Sequence, residues 1–175
     1  FFKGANPRID SMDLNSAKQF VADNFNFISF KDATTTIDEV LNVAKSVVLR
    51  KGIKSLTIDP WNKLCHTIPA GKTETTYIND VLNKLAAFKK LYSLHIFVVA
   101  HPRKIEKDKK TNQYQVPTLY DINGSANFYN QADNGITVYR DFAMKETVVY
   151  VQKVRFAGWM GMVGMAIFKY NHLNG

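Results

Sequence analysis

Two short segments fix which architectures are open to this chain. Leu94 to Ala100 is an apolar run of strand length, the form expected of a strand covered on both faces. Ser55 to Asp59 is a second strand-like run that ends in an acid and then a proline. Between them lies Tyr77 to Tyr92, where Ile78, Val81, Leu82, Leu85, Phe88 and Leu91 recur on one helical face. Strand, helix and strand at this spacing predict parallel pairing, with helices laid against the sheet. The 175 residues allow one domain with a real core. No apolar run is long enough to span a bilayer.

The flanking segments extend the pattern. Residues 13–24 read as a helix with Leu14, Ala17, Phe20 and Val21 on one face, and Asn26 to Phe30 reads as a strand. Thr36-Ile37-Asp38-Glu39 has the form of a capping box. The helix it opens carries Ile37, Val40, Leu41, Ala44, Val47 and Val48 inward and stops at Gly52. Residues 65–76 form a polar loop and 101–118 a long basic one. Ile136 to Tyr139 reads as a fourth strand, while Glu146 to Gln152 and Met165 to Tyr170 alternate as an antiparallel pair.

Charge separates the two parts of the chain. Of 23 basic and 15 acidic residues, residues 1–50 hold six of each, so the whole surplus of +8 lies in residues 51–175. A localised basic surplus meets the phosphates of nucleotides or nucleic acid, or is simply a soluble basic surface. The one cysteine, Cys65, excludes a disulfide framework and fits a reducing cytosol. Its neighbour His66 has no companion pair with which to bind a metal. No signal peptide is visible, and the chain opens without Met.

In parallel sheets, ligands bind beyond the carboxyl ends of the strands. Asp59 in Leu56-Thr57-Ile58-Asp59-Pro60-Trp61-Asn62 has the form of a Walker B acid, although an Asp that starts a turn looks the same. His101 in Val98-Val99-Ala100-His101-Pro102-Arg103 ends the neighbouring strand, where it either contacts a terminal phosphate or is structural. Lys153 and Arg155 lie two apart on a strand and so face one target, an anion or solvent. The basic loop holds Arg103, Lys104, Lys107, Lys109 and Lys110, suited to a nucleic-acid backbone or to a solvated hairpin. Gly124, Ser125 and Asn127 sit in a small-residue turn that permits close approach of a ligand. Gly71-Lys72-Thr73 imitates the end of a phosphate loop, but His66 stands where that pattern needs its first glycine.

Taken in order, these segments resemble the RecA-like motor domain of DnaB-type replicative hexameric DNA helicases, and more closely the phage and mitochondrial primase-helicases such as Twinkle. The resemblance runs through Phe25–Leu49, Leu56–Asn62, His95–Lys104, Asp121–Asp141 and Val151–Tyr170. It is most specific from Gly124-Ser125-Ala126 to Tyr139-Arg140-Asp141, and next in Lys153 and Arg155 with Gly161-Met162-Val163-Gly164 following. It implies an α/β fold: a RecA-like parallel sheet flanked by helices, with a C-terminal antiparallel strand pair. Residues 1–175 would be a single partial domain, truncated at its N-terminus.

The same resemblance implies roles. Asp59 would position Mg2+, His101 would sense the terminal phosphate of ATP or another NTP, and Lys153 and Arg155 would serve the nucleotide of an adjacent subunit. The loops at 103–118 and 122–131 would hold single-stranded DNA in the channel of a hexameric ring, with a primase fused or associated. The setting would be the cytoplasm of a bacterial or phage-infected cell, with no membrane partner. The family's phosphate loop and catalytic glutamate lie upstream of the matched region, so the fragment alone is expected to be inactive. Residues 156–160 fit the family only loosely, being apolar where polar residues are usual. Two other readings stay open: a RecA-fold single-stranded DNA-binding module without catalysis, and a recombinase-type filament ATPase.

Overall fold

The structure is a computed structural model that describes residues 9–30, 34–107, 114–122 and 125–169. α2 (Ile37–Lys51) begins where the sequence says it must. The Thr36 hydroxyl accepts the Glu39 N–H while the Glu39 carboxylate accepts the Thr36 N–H, satisfying two donors the helix cannot. It ends at Gly52, whose φ of 63° is the left-handed conformation that costs glycine nothing. Thr36→Ala is expected to lower stability by about 1 kcal/mol, read as a shift in the urea midpoint at unchanged slope. A change in slope instead would mean that the cap holds more than this helix.

β1 (Ser55–Ile58) and β2 (His95–Val98) pair in parallel, Ser55 opposite His95 and Ile58 opposite Val98. α3 (Glu74–Tyr92) makes the crossover, as parallel strands require. Leu56 and Ile58 turn to one face and join Ile37, Val40 and Ala44 of α2, Ile78, Val81, Leu82 and Leu85 of α3, Trp61 and Phe128 in one core cluster. Lys84 of α3 reaches Asp38 of α2 at 2.8 Å, closing the helix pair over that face. The expectation of a Leu94–Ala100 strand covered on both faces is corrected. Phe97 is 51% exposed and Val99 is 39% exposed, because among the described residues the helices of the core lie on one face only.

Two further expectations change. Asn26–Phe30 is not a strand: no neighbouring strand supplies a ladder among the described residues, and Phe27 is 83% exposed. Its phenyl ring instead stacks near Phe25, just past α1 (Ser11–Asn24), a helix that contributes no buried residue. The C-terminal antiparallel pair is a triple of β3 (Asn134–Asp141), β4 (Glu146–Val154) and β5 (Gly164–Lys169), in the order β3-β4-β5. The cause is the turn after β3. Asp141 Oδ1 accepts the N–H groups of Ala143 and Met144, which folds β4 straight back with Glu146 opposite Asp141. α4 (Ser125–Gln131) leads into β3, and a short helix α5 (Ala157–Met160) precedes β5. At the bulge between Gly135 and Ile136, a Cβ on Gly135 would fall 2.1 Å from Leu119 Cδ1, so any larger residue there forces the Leu119 side chain to shift.

Candidate functional site

The carboxyl ends of β1 and β2 are tied together beyond their last ladder pair. Val99 N–H donates to Ile58 O at 2.9 Å and Trp61 N–H to Val99 O at 2.7 Å. The side chain of Asn62 then accepts the His101 N–H at 2.7 Å. Asp59 and His101, both exposed, therefore sit on adjacent strand ends with Asn62 as the tie. Trp61 anchors this edge from below. It is 4% exposed, meets Phe128 edge-on at 5.3 Å and lies 4.6 Å from the His66 ring. A carbonyl can only accept, so His66 Nε2 donates to Trp61 O at 3.1 Å, and Nδ1 is left to accept from the Tyr77 hydroxyl at 3.4 Å. His66 is thereby a packing residue, and no cluster of metal-ligating side chains occurs among the described residues.

Lys153 and Arg155 do converge, and their common target is the carbonyl end of α4. Lys153 Nζ donates to Tyr129 O and, at 3.4 Å, to Asn130 O, and stands 4.7 Å from the Tyr129 ring centroid. Arg155 donates to Asn130 O at 2.6 Å and Gln131 O at 3.2 Å and pairs with Asp133 at 3.0 Å. Cations belong at a helix C-terminus, where carbonyls lack partners. Asp133 also receives Lys89, from the last turn of α3, at 2.5 Å. That hydrogen bond, aided by the charges of Arg155 and Lys153 and opposed by burial, holds the Asp133 carboxyl below the usual carboxylate range. Burial, and next the Arg155 charge, pull the Lys153 ammonium down from its ordinary value, with Asp133 acting the other way.

The basic loop is fastened at its base. Arg103 N–H donates to Asp121 O at 2.6 Å, and its guanidinium lies 3.5 Å from the Asp121 carboxylate. The Thr118 N–H and hydroxyl both donate to Asp121, and these bonds, more than Arg103, keep its carboxyl below the usual range. Gln152 of β4 holds both sides of Thr118, accepting Leu119 N–H at 3.2 Å and donating to Pro117 O at 2.8 Å. Lys107 and Tyr114 form an antiparallel bridge, with the ammonium 5.1 Å from the ring centroid. Arg103, Lys104 and Lys107 are exposed along this loop, while Lys109, Lys110 and Gly124 lie outside the described residues. Ser125 opens α4. Asn127 turns inward, its amide donating to Thr75 O at 2.8 Å and docking α4 on α3.

The structure thus forms two separate groups. Asp59 and His101 lie past the carboxyl ends of β1 and β2, whereas Asp133, beside Lys153 and Arg155, is bound to the α3 turn that leads into β2 at its amino end. Among the described residues no hydrogen bond or ion pair joins the groups. The Gly71 turn makes no phosphate cradle: Lys72 pairs with Asp80 at 2.5 Å and Thr73 caps α3. An exposed carboxylate on a strand end suits Mg2+, which keeps most of its water and takes one or two carboxylates with phosphate oxygens. Asp59, exposed beside His101, has the chemistry such a metal takes. Asn62, Gln152, Lys89 and Asp133 escape a sequence reading because their partners lie far off along the chain. Asn62 and His101 are 39 positions apart, and Lys89 and Asp133 are 44 apart.

No protein-family model matches the chain. It is 39% identical over 135 residues to the Twinkle homolog protein, chloroplastic/mitochondrial, of Arabidopsis thaliana, a match covering 77% of this chain and 18% of that protein. The fold superposes with a TM-score of 0.67 on a solved ATPase domain, at 17% identity, covering 95% of this chain and 60% of the other. The TM-score is also 0.67 for a DnaB-like replicative helicase solved in a study of its interactions with primase, at 18% identity, covering 98% of this chain and 43% of the other. In sequence and fold the chain is similar to the RecA-like domain of DnaB/Twinkle-like helicases.

Proposed function

We propose that this DnaB/Twinkle-like RecA-like domain is part of a replicative DNA helicase motor, hydrolysing an NTP between subunits of a ring and moving along single-stranded DNA. The observation that carries the reading is the pairing of Asp59 and His101 on adjacent strand ends, tied by Asn62. In this reading Asp59 holds Mg2+ through water, and the metal, when bound, neutralises phosphate charge. His101 donates to the terminal phosphate and loses that partner when the phosphate leaves. Because Lys153 and Arg155 lie apart from Asp59, they serve the nucleotide of the adjacent subunit, where an Arg stabilises the transition-state charge. Arg103, Lys104 and Lys107, with Lys109, Lys110, Gly124 and Ser125, grip the DNA backbone. The inward turn of Asn127 supports a role in placing α4 rather than in touching DNA. A primase as partner rests on the relatives alone.

Subunit mixing in the full-length protein tests the arrangement. Asp59→Ala and Arg155→Ala are each expected to lose nearly all activity while keeping a residual rate that can still be measured. Mixed in equal amounts, they are expected to regain activity, because about a quarter of the interfaces in a randomly mixed ring carry both intact residues. The readout is phosphate release with single-stranded DNA present. If the mixture stays as inactive as its parts, the two groups do not act across an interface.

A further inference from the structure

Arg155 is held by more groups than a solvated strand end needs. Its guanidinium meets Asn130 O, Gln131 O and the Asp133 carboxylate, and its main-chain N–H donates to Asp133 O at 2.8 Å. Of these acceptors only the Asp133 carboxylate carries charge. The carbonyls fix one edge of the guanidinium, and Asp133 Oδ1 fixes the other nitrogen at 3.0 Å, so the planar fork has a single orientation. Asp133 Oδ2 is taken by Lys89, which fixes the carboxylate in turn. Three cations, Lys89, Lys153 and Arg155, thus gather around one carboxylate in a partly buried cluster.

We infer that Asp133 is a positioning residue that holds the Arg155 guanidinium in the orientation it presents to an incoming phosphate. The inference rests on the proposed role of Arg155 at a neighbouring subunit's nucleotide. It goes beyond that role, because Asp133 touches no nucleotide and acts through Arg155. The cluster has two cations in excess of its one carboxylate, so it attracts phosphate oxygens while Asp133 limits mutual repulsion. Loss of the Asp133 charge leaves Arg155 with neutral carbonyls and two cationic neighbours, and the fork swings off target.

A plainer role for Asp133 is to staple α3 to the sheet through Lys89, and the test separates the two. In the full-length protein, Asp133→Asn is expected to lower kcat for NTP hydrolysis by roughly ten- to a hundredfold, the scale of a misplaced reacting group, with KM for the NTP and affinity for single-stranded DNA unchanged. Asp133→Glu, which keeps the charge, is expected to recover part of the loss. Lys89→Met, which removes the staple and one of the groups that fix the carboxylate but leaves the Asp133 to Arg155 pair in place, is expected to lower kcat clearly less than Asp133→Asn does. Adding Arg155→Ala to Asp133→Asn is expected to give no more loss than Arg155→Ala alone.

Equal losses in Asp133→Asn and Lys89→Met, or losses that multiply with Arg155→Ala, overturn the positioning role. Full activity in Arg155→Ala overturns the nucleotide role of Arg155 instead. A readout free of turnover keeps those failures distinct. The guanidinium N–H signals of Arg155 are expected to exchange slowly with solvent in the wild type and fast in Asp133→Asn. Unchanged exchange in Asp133→Asn would sink the positioning role even if Arg155 proved essential.

Discussion

Asp59→Ala in the full-length protein is expected to lower magnesium-dependent NTP turnover by roughly a thousandfold, the scale on which phosphoryl transfer depends on charge neutralisation. The substitution should leave the fold intact. Asp59 is exposed just past β1, outside the core cluster, and surface changes away from caps and ion pairs move stability little. The melting temperature is therefore expected to stay within about a degree or two of wild type. Asp59→Asn separates charge from shape. It keeps the side chain's size and one oxygen but not the negative charge, so it is expected to fail nearly as fully as the alanine. The measurement is steady-state phosphate release across a magnesium titration. Turnover within a few-fold of wild type in both variants would remove Asp59 from the metal site.

Trp61→Ala is expected to have the largest effect on stability, about 3–5 kcal/mol, because it empties a large buried site. Trp61 is 4% exposed and packs the segment after β1 against the nearby His66 ring and against Phe128 on α4, far along the chain. Its main-chain N–H also donates to Val99 O, so the residue fastens the carboxyl end of β2 as well. Trp61→Phe keeps an aromatic ring and is expected to cost less than half as much. Denaturant unfolding followed by circular dichroism reads both values. A loss under about 1 kcal/mol for the alanine would mean that the core closes over the gap without Trp61.

What a sequence reading can reach here depends on the range of each interaction. The Thr36 and Glu39 cap, the stripe of α2 and the Gly52 stop involve neighbours within one turn, and they stand where the pattern places them. The α3 stripe likewise buries Ile78, Val81, Leu82 and Leu85, but Leu91, expected inward, is 72% exposed at the end of the helix. The adjacency of Asp59 and His101 is legible because strand ends in a parallel sheet are adjacent by construction. Asn26–Phe30 misleads because aromatic and branched residues only mark a surface that suits a sheet, and a strand needs a partner to pair with. The strand at Ile136–Tyr139 is legible, but its antiparallel pairing with β4 is not, because the signal is a single Asp141 side chain bonding two N–H groups. The small residues around Gly124 draw attention, yet it is Asp133, further along the same stretch, that meets Arg155 and Lys89.

The Gln152 amide has a thermodynamic consequence for whatever the basic loop grips. A long loop free at both ends must lose chain entropy when a ligand orders it, and that loss subtracts from affinity. Here Gln152 clamps Pro117 and Leu119, Asp121 clamps Arg103, and Lys107 bridges to Tyr114. The ordering of the loop's base is thus completed in folding, before any ligand arrives. If the loop takes an anionic ligand as proposed, Arg103 and Lys107, whose backbone is fixed in this way, would bring their charge to it with little lost to ordering.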